Sequence, residues 1–205
     1  MHTPRLPCCA LRLWLPLLAC LGACVTTPRH HNHGAILLSN STPFALLPPR
    51  HIEKPMDMLQ RISGSHKGNH WAMNAWVKAN EEGLVMELLG DMGNSLGTLV
   101  YDGEGVRFSS SVLPPHLKPE YVLADFQLCF FRPEALRPAL GKLILQTDRH
   151  DGVEVRRLYE GDACLVEIEK TPQAVHYKNH LRGYAYSIEG AFEGTLEGTL
   201  EGALP

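Results

Sequence analysis

Residues 119–141 read PEYVLADFQLCFFRPEALRPALG, and they interrupt a chain that elsewhere repeats in twos. Pro119 suits a first helical turn, where its missing N–H costs no hydrogen bond. Val122, Leu123, Phe126, Cys129 and Phe130 then follow helical spacing. Pro133 opens a second short helix through Ala135, Leu136, Ala139 and Leu140, which Gly141 stops.

On the N-terminal side the period is two. Trp71, Met73, Ala75 and Val77 alternate with His70, Ala72, Asn74 and Trp76. Leu84–Leu89 is a short apolar run. Leu99-Val100-Tyr101 and Val106-Arg107-Phe108 flank Asp102-Gly103, a pair that tolerates the positive φ of a tight turn. On the C-terminal side Leu143-Ile144-Leu145, Val153–Tyr159 beyond Asp151-Gly152, Cys164–Ile168 and Tyr184–Ile188 supply further strands. Strands, then helices, then strands predict an α+β fold, mainly β: an antiparallel sheet with helices on one face.

The ends of the chain read differently. Arg5 and Arg12 precede the apolar run Leu13–Leu21, which is well short of the roughly 20 residues a spanning helix needs and suits a secretion signal. Leu21-Gly22-Ala23-Cys24 resembles the lipobox of bacterial lipoproteins, with Leu17-Leu18-Ala19-Cys20 as a weaker rival site. The resemblance implies cleavage before Cys24 and lipid on its thiol, with Val25 favouring the outer membrane. Residues 1–23 are then a lipoprotein signal peptide and 24–50 a tether punctuated by Pro28, Pro43, Pro48 and Pro49. The domain proper spans 51–190. Residues 191–205 belong to a Glu-Gly repeat and are expected to be disordered, although evenly spaced Phe192, Leu196, Leu200 and Leu204 leave partner docking open.

Cleavage removes two arginines and no carboxylate, taking the formal charge from −3 to −5. That balance offers no electrostatic reason to bind nucleic acid. Cys129 and Cys164 would remain in an oxidising compartment, but each sits in an apolar run and reads as a buried free thiol sooner than a disulfide. His30, His31 and His33 stand in the tether without a fixed carboxylate, so a metal site is not expected there. There is no His-Glu-x-x-His, phosphate loop or Cys-x-x-Cys. His150-Asp151 is the one close imidazole–acid pair, at an expected turn. No enzyme and no cofactor are expected. A half-open sheet capped by helices encloses apolar space, and Trp71, Met73, Met86, Leu88, Phe126 and Phe130 either line a ligand cavity or simply fill a core.

From Met86-Glu87-Leu88-Leu89-Gly90-Asp91-Met92-Gly93-Asn94-Ser95-Leu96-Gly97 through Leu99–Gly103, the chain resembles a family of uncharacterised bacterial lipoproteins. Leu123-Ala124-Asp125-Phe126-Gln127-Leu128, Arg132–Leu136, Asn179, Gly183-Tyr184 and Ile188 continue the resemblance. It implies an association with aryl-polyene biosynthesis. More distantly the pattern is similar to the outer-membrane lipoprotein-localisation (Lol-type) receptor and its periplasmic carrier. That similarity implies an unclosed antiparallel β-barrel with short helices as a lid, a cavity for acyl chains, and Met92 as a membrane-inserting side chain. The expected function is binding or transfer of a hydrophobic envelope molecule at the outer membrane, facing the periplasm. The alternative is a non-catalytic scaffold for envelope export or assembly proteins.

Overall fold

A computed structural model describes residues 29–31, 36–110 and 118–190. Cys24, the signal segment and residues 191–205 lie outside the described residues. In chain order the strands are β1 (Arg29–His31), β2 (Ile36–Leu37), β3 (Pro43–Phe44), β4 (Met56–His66), β5 (Asn69–Ala79), β6 (Leu84–Leu89), β7 (Ser95–Tyr101) and β8 (Val106–Ser109). Helices α1 (Pro119–Phe130) and α2 (Pro133–Ala139) follow, then β9 (Ile144–His150), β10 (Val153–Glu160), β11 (Ala163–Lys170), β12 (Ala174–Asn179) and β13 (Tyr184–Glu189).

Eleven strands form one antiparallel sheet in the order β1-β8-β7-β6-β5-β4-β13-β12-β11-β10-β9. β1 and β9 are its two edges, and the sheet is not closed into a barrel. Pairing of β4 with β13, from Arg61↔Glu189 to His66↔Tyr184, joins the half before the helices to the half after them. The longest hairpin is β4–β5. Its turn, Lys67-Gly68, takes φ of 49° and 81°, the twist-matched geometry of a two-residue hairpin loop. The mainly-β fold read from the change of period is the fold observed.

One face of the sheet buries Ala75, Val77 and Ala79 of β5, Leu84, Met86 and Leu88 of β6, and Leu99 and Tyr101 of β7. From the other half it buries Leu158, Ile168, Val175, Tyr177 and Ile188. The sheet curls around α1, in which Leu123, Ala124, Phe126, Leu128, Cys129 and Phe130 are all buried. A helix lying on a surface keeps a polar face in water. α1 keeps almost none, so it is a plug within the sheet's concavity more than an outer lid.

The tether expected over 24–50 ends earlier. β1 already pairs with β8, and from Ile36 the chain packs onto the sheet, with Ile36, Leu38 and Phe44 buried. Leu47 is fixed at both polar groups. Its N–H donates to Gln127 Oε1 at 2.9 Å, and its carbonyl accepts from Gln127 Nε2 at 2.8 Å and Tyr101 Oη at 2.9 Å. Of the prolines that suggest a linker, Pro43 lies in β3 and Pro49 opens a 3-10 turn over Pro49–His51.

Candidate ligand-binding core beneath α1

Four of the six expected lining residues meet in one buried core. Met86 and Leu88 point inward from β6, and Phe126 and Phe130 lie one turn apart on α1 with ring centroids 4.9 Å apart. Met73 packs at the margin of this core. Trp71 follows on the same face of β5 but is 39% exposed, above the end of the sheet where the Lys67-Gly68 turn lies. The space between α1 and β5–β7, lined by Leu84, Tyr101, Leu123 and Phe126 among others, measures about 10 Å3. Ligand pockets run from about 300 Å3 upward. In this state the six residues are core and margin, and α1 occupies the volume that a ligand would need.

Polar groups that the sequence reading does not anticipate fasten α1 at two levels. Asp125 projects from the helix between Leu123 and Phe126 and is almost fully buried. It accepts hydrogen bonds from Tyr177 Oη at 2.6 Å and Tyr184 Oη at 2.7 Å. Tyr177 stacks on Tyr186 with centroids 4.7 Å apart. Burial pushes the Asp125 carboxyl up to about 6, although the two hydroxyls and Arg182 pull the other way. An acid inside an otherwise apolar helical run is the one sequence signal for this site.

At its C-terminal end α1 meets a buried charge cluster. The guanidinium of Arg156 (β10) is fully buried and donates from Nη1 to the carbonyls of Leu128 and Phe131, each at 2.8 Å. These are carbonyls that a helix end leaves without intrahelical partners. The same guanidinium pairs with Glu154 and Glu53. Lys170 (β11) bridges Glu53 Oε2 at 2.8 Å and Glu154 Oε1 at 3.3 Å, and lies 5.9 Å from the centroid of Phe130. Burial works to raise the Glu154 carboxyl, but Arg156 and Lys170 outweigh it and hold the group low. Such a cluster specifies where α1 docks more than it stabilises the fold, because desolvation consumes most of the Coulombic gain.

The remaining candidates are superficial. Met92 tops the β6–β7 turn and is 95% exposed. Gly93 takes φ +75°, the Gly90 N–H donates to the Asn94 carbonyl, and Arg61 pairs with Asp91 at 3.1 Å, so the turn beneath Met92 is defined. His150 Nε2 lies 2.9 Å from Asp151 Oδ2, with both side chains largely in water at the β9–β10 turn. Cys129 and Cys164 are both free thiols. Among the described residues no helix is long and apolar enough to cross a membrane.

The chain matches the protein family described as "Protein of unknown function (DUF3261)" over residues 57–191, from the second residue of β4 to just past β13. No curated protein matches it.

Proposed function

The chain belongs to the DUF3261 family, and from that premise we propose that its body holds a hydrophobic envelope molecule, a lipid, acyl chain or aryl polyene, in the volume that α1 fills. The observation that carries this reading is α1 itself, buried along its length by an incomplete sheet and fastened by buried polar groups. Apolar packing alone would make removal costly at every contact. Here part of the docking surface is a carboxylate, a guanidinium and hydroxyls, which regain water when the helix lifts. An acyl chain taking its place recovers apolar burial at about 0.8 kcal/mol per methylene, on the order of 10 kcal/mol for a long chain. The reading includes no bond-making step.

In the same reading the protein is a lipoprotein, anchored through lipidated Cys24 at the periplasmic face of the outer membrane. The β4–β5, β6–β7 and β12–β13 turns share one end of the sheet, because each follows a strand running the same way. Exposed Trp71, Met92 and Leu181 lie at that end. It is the end proposed to face the membrane, with Met92 entering the lipid. Native mass spectrometry of the purified protein, followed by organic extraction, tests the proposal. A discrete bound amphiphile is the expected result. A clean ligand-free mass, unchanged after incubation with envelope lipid, would overturn it.

One observation favours the scaffold alternative. On the outer face Leu59 and Trp76 stand opposite each other on β4 and β5, 52% and 47% exposed, with Val85 on β6 at 42%. An apolar strip of this kind suits an envelope export protein as partner. Loss of function on replacing Leu59 and Trp76 by Ser and Gln, with amphiphile binding intact, would select that reading.

A further inference from the structure

At the end of the sheet opposite Met92 lies an open groove of about 590 Å3, walled by Glu53, Lys54, Arg132, Glu134, Thr147 and Arg149 together with Pro133 and Arg137. Four cations face two carboxylates there, in a chain whose formal net charge is −3. The two carboxylates do not neutralise the groove. Glu53 is drawn inward to Arg156 and Lys170, and Glu134 pairs with Arg137 at 3.8 Å. Arg149 pairs through Nε, at 2.5 Å, and Nη2 with Glu154, and its Nη2 lies 4.0 Å from Glu53, so it stands at the inner edge of the groove. Lys54 and Arg132 are exposed, and Arg132 donates from Nη2 to the Arg50 carbonyl at 2.6 Å. His51 next to them is held below the usual histidine range, by burial first and then by Arg50 and Arg132.

A second feature of the wall is independent of charge. Thr147 Oγ1 is buried without a hydrogen-bond partner among the described residues. Folding rarely removes a hydroxyl from water without giving it a partner. An anionic oxygen between Arg149 and Arg137 would supply one once the wall opens enough to admit it.

We propose that this groove binds a phosphate group, through Arg132, Arg137, Arg149 and Lys54. The surplus of two positive charges matches a phosphate monoester, which carries about −1.5 to −2 at neutral pH. Planar guanidinium groups favour its paired oxygens, where a single carboxylate would leave half the surplus unmet. The groove adjoins the Glu53–Arg156 cluster that docks the C-terminal end of α1. A phosphate competing for Arg149 therefore acts next to the point where the helix is fastened. The phosphate belongs either to the headgroup of an amphiphile or to a small free molecule.

Isothermal titration of the full chain with inorganic phosphate, and separately with short-chain dihexanoyl phosphatidic acid, tests this. The double variant Arg132→Gln/Arg137→Gln serves as control. Both side chains are exposed, so the variant is expected to keep its circular dichroism spectrum and melting temperature. Saturable binding of inorganic phosphate, weakened about tenfold or more in the variant, establishes the site with free phosphate as a sufficient ligand. Binding of the phosphatidic acid alone, lost in the same variant, establishes it as a headgroup site. Absence of binding by both probes, or binding that the folded variant leaves unchanged, overturns the proposal. Neither result depends on whether an acyl chain enters beneath α1.

Discussion

The indole of Trp71 lies directly over Gly64, its cross-strand partner: a Cβ built on Gly64 would come within 2.3 Å of Trp71 Cζ2. Gly64 leaves the strand weak and the ring covers the gap, an arrangement in which an aromatic side chain compensates a glycine. Gly64→Ala must therefore push the ring off the sheet margin. The expected result is a red-shifted Trp71 emission with a loss of about 1 kcal/mol in urea unfolding. Measured in a Trp76→Phe background, an unchanged emission maximum would show that the ring is not seated there.

Asp125 sets a dependence of stability on pH. Its carboxyl ionises near 3.8 in an unfolded chain and at about 6 in the folded one. A raised folded value means that the folded state keeps the proton longer. The contribution is therefore fully favourable below about pH 4 and declines as pH rises through 6. The difference corresponds to about 3 kcal/mol. Asp125→Asn still accepts a hydrogen bond but never ionises. It is expected to flatten the profile between pH 4 and 7 and to unfold at higher urea than the parent at pH 7.5. Lower stability than the parent at both pH 4.5 and pH 7.5 would contradict this account.

The two free thiols report on α1. Cys129 lies on the helix, and burial first, then Asp125, pushes its thiol up to about 12. Cys164 is partly exposed, with its thiol raised by burial. Alkylation at pH 8, read by peptide mass, is expected to modify Cys164 in the folded protein and Cys129 only in denaturant or when an amphiphile lifts the helix. Equal rates at both sites in the absence of ligand would mean that α1 is not docked as described.

Met92 separates membrane contact from folding. At 95% exposure it contributes almost no burial, so Met92→Glu is expected to leave the melting temperature unchanged. Release of the unlipidated protein from vesicles of outer-membrane lipid should increase severalfold, since the turn then carries a charge into the interface. Vesicle binding equal to the parent, measured by flotation, would remove Met92 from the membrane-facing role.

What the sequence makes legible follows from which residues face inward. β5, β6 and the β7–β8 hairpin show in the pattern because their buried positions are apolar, as in Ala75, Val77, Met86 and Leu99. The helices show because Val122, Leu123, Phe126, Cys129 and Phe130 keep helical spacing. β4 and β12 escape the same reading: their inward positions include Gln60, Gly64 and Asn179, which no hydrophobic period marks. In β10 Glu154 and Arg156 are turned inward, because the C-terminal end of α1 and the loop at Glu53 supply partners for Arg156. Those partners are distant in sequence, so the Arg156 cluster has no local signature and the Asp125 site has only the acid within its apolar helical run. The six lining candidates, by contrast, come from local pattern alone, and the structure brings Met86, Leu88, Phe126 and Phe130 together while leaving Trp71 at the rim.

The two tryptophans of β5 face opposite sides of the sheet, Trp71 toward the concavity and Trp76 toward the outside, where its Nε1 donates to Asp57 at 2.9 Å. That division allows the most direct test of a hydrophobic ligand entering beneath α1. Fluorescence quenching by a fatty acid brominated along its chain is measured in the parent, in Trp71→Phe and in Trp76→Phe. If the chain enters the concavity, quenching persists in Trp76→Phe and disappears in Trp71→Phe. Quenching that survives Trp71→Phe and disappears with Trp76→Phe would place the acyl chain on the outer face and contradict the account.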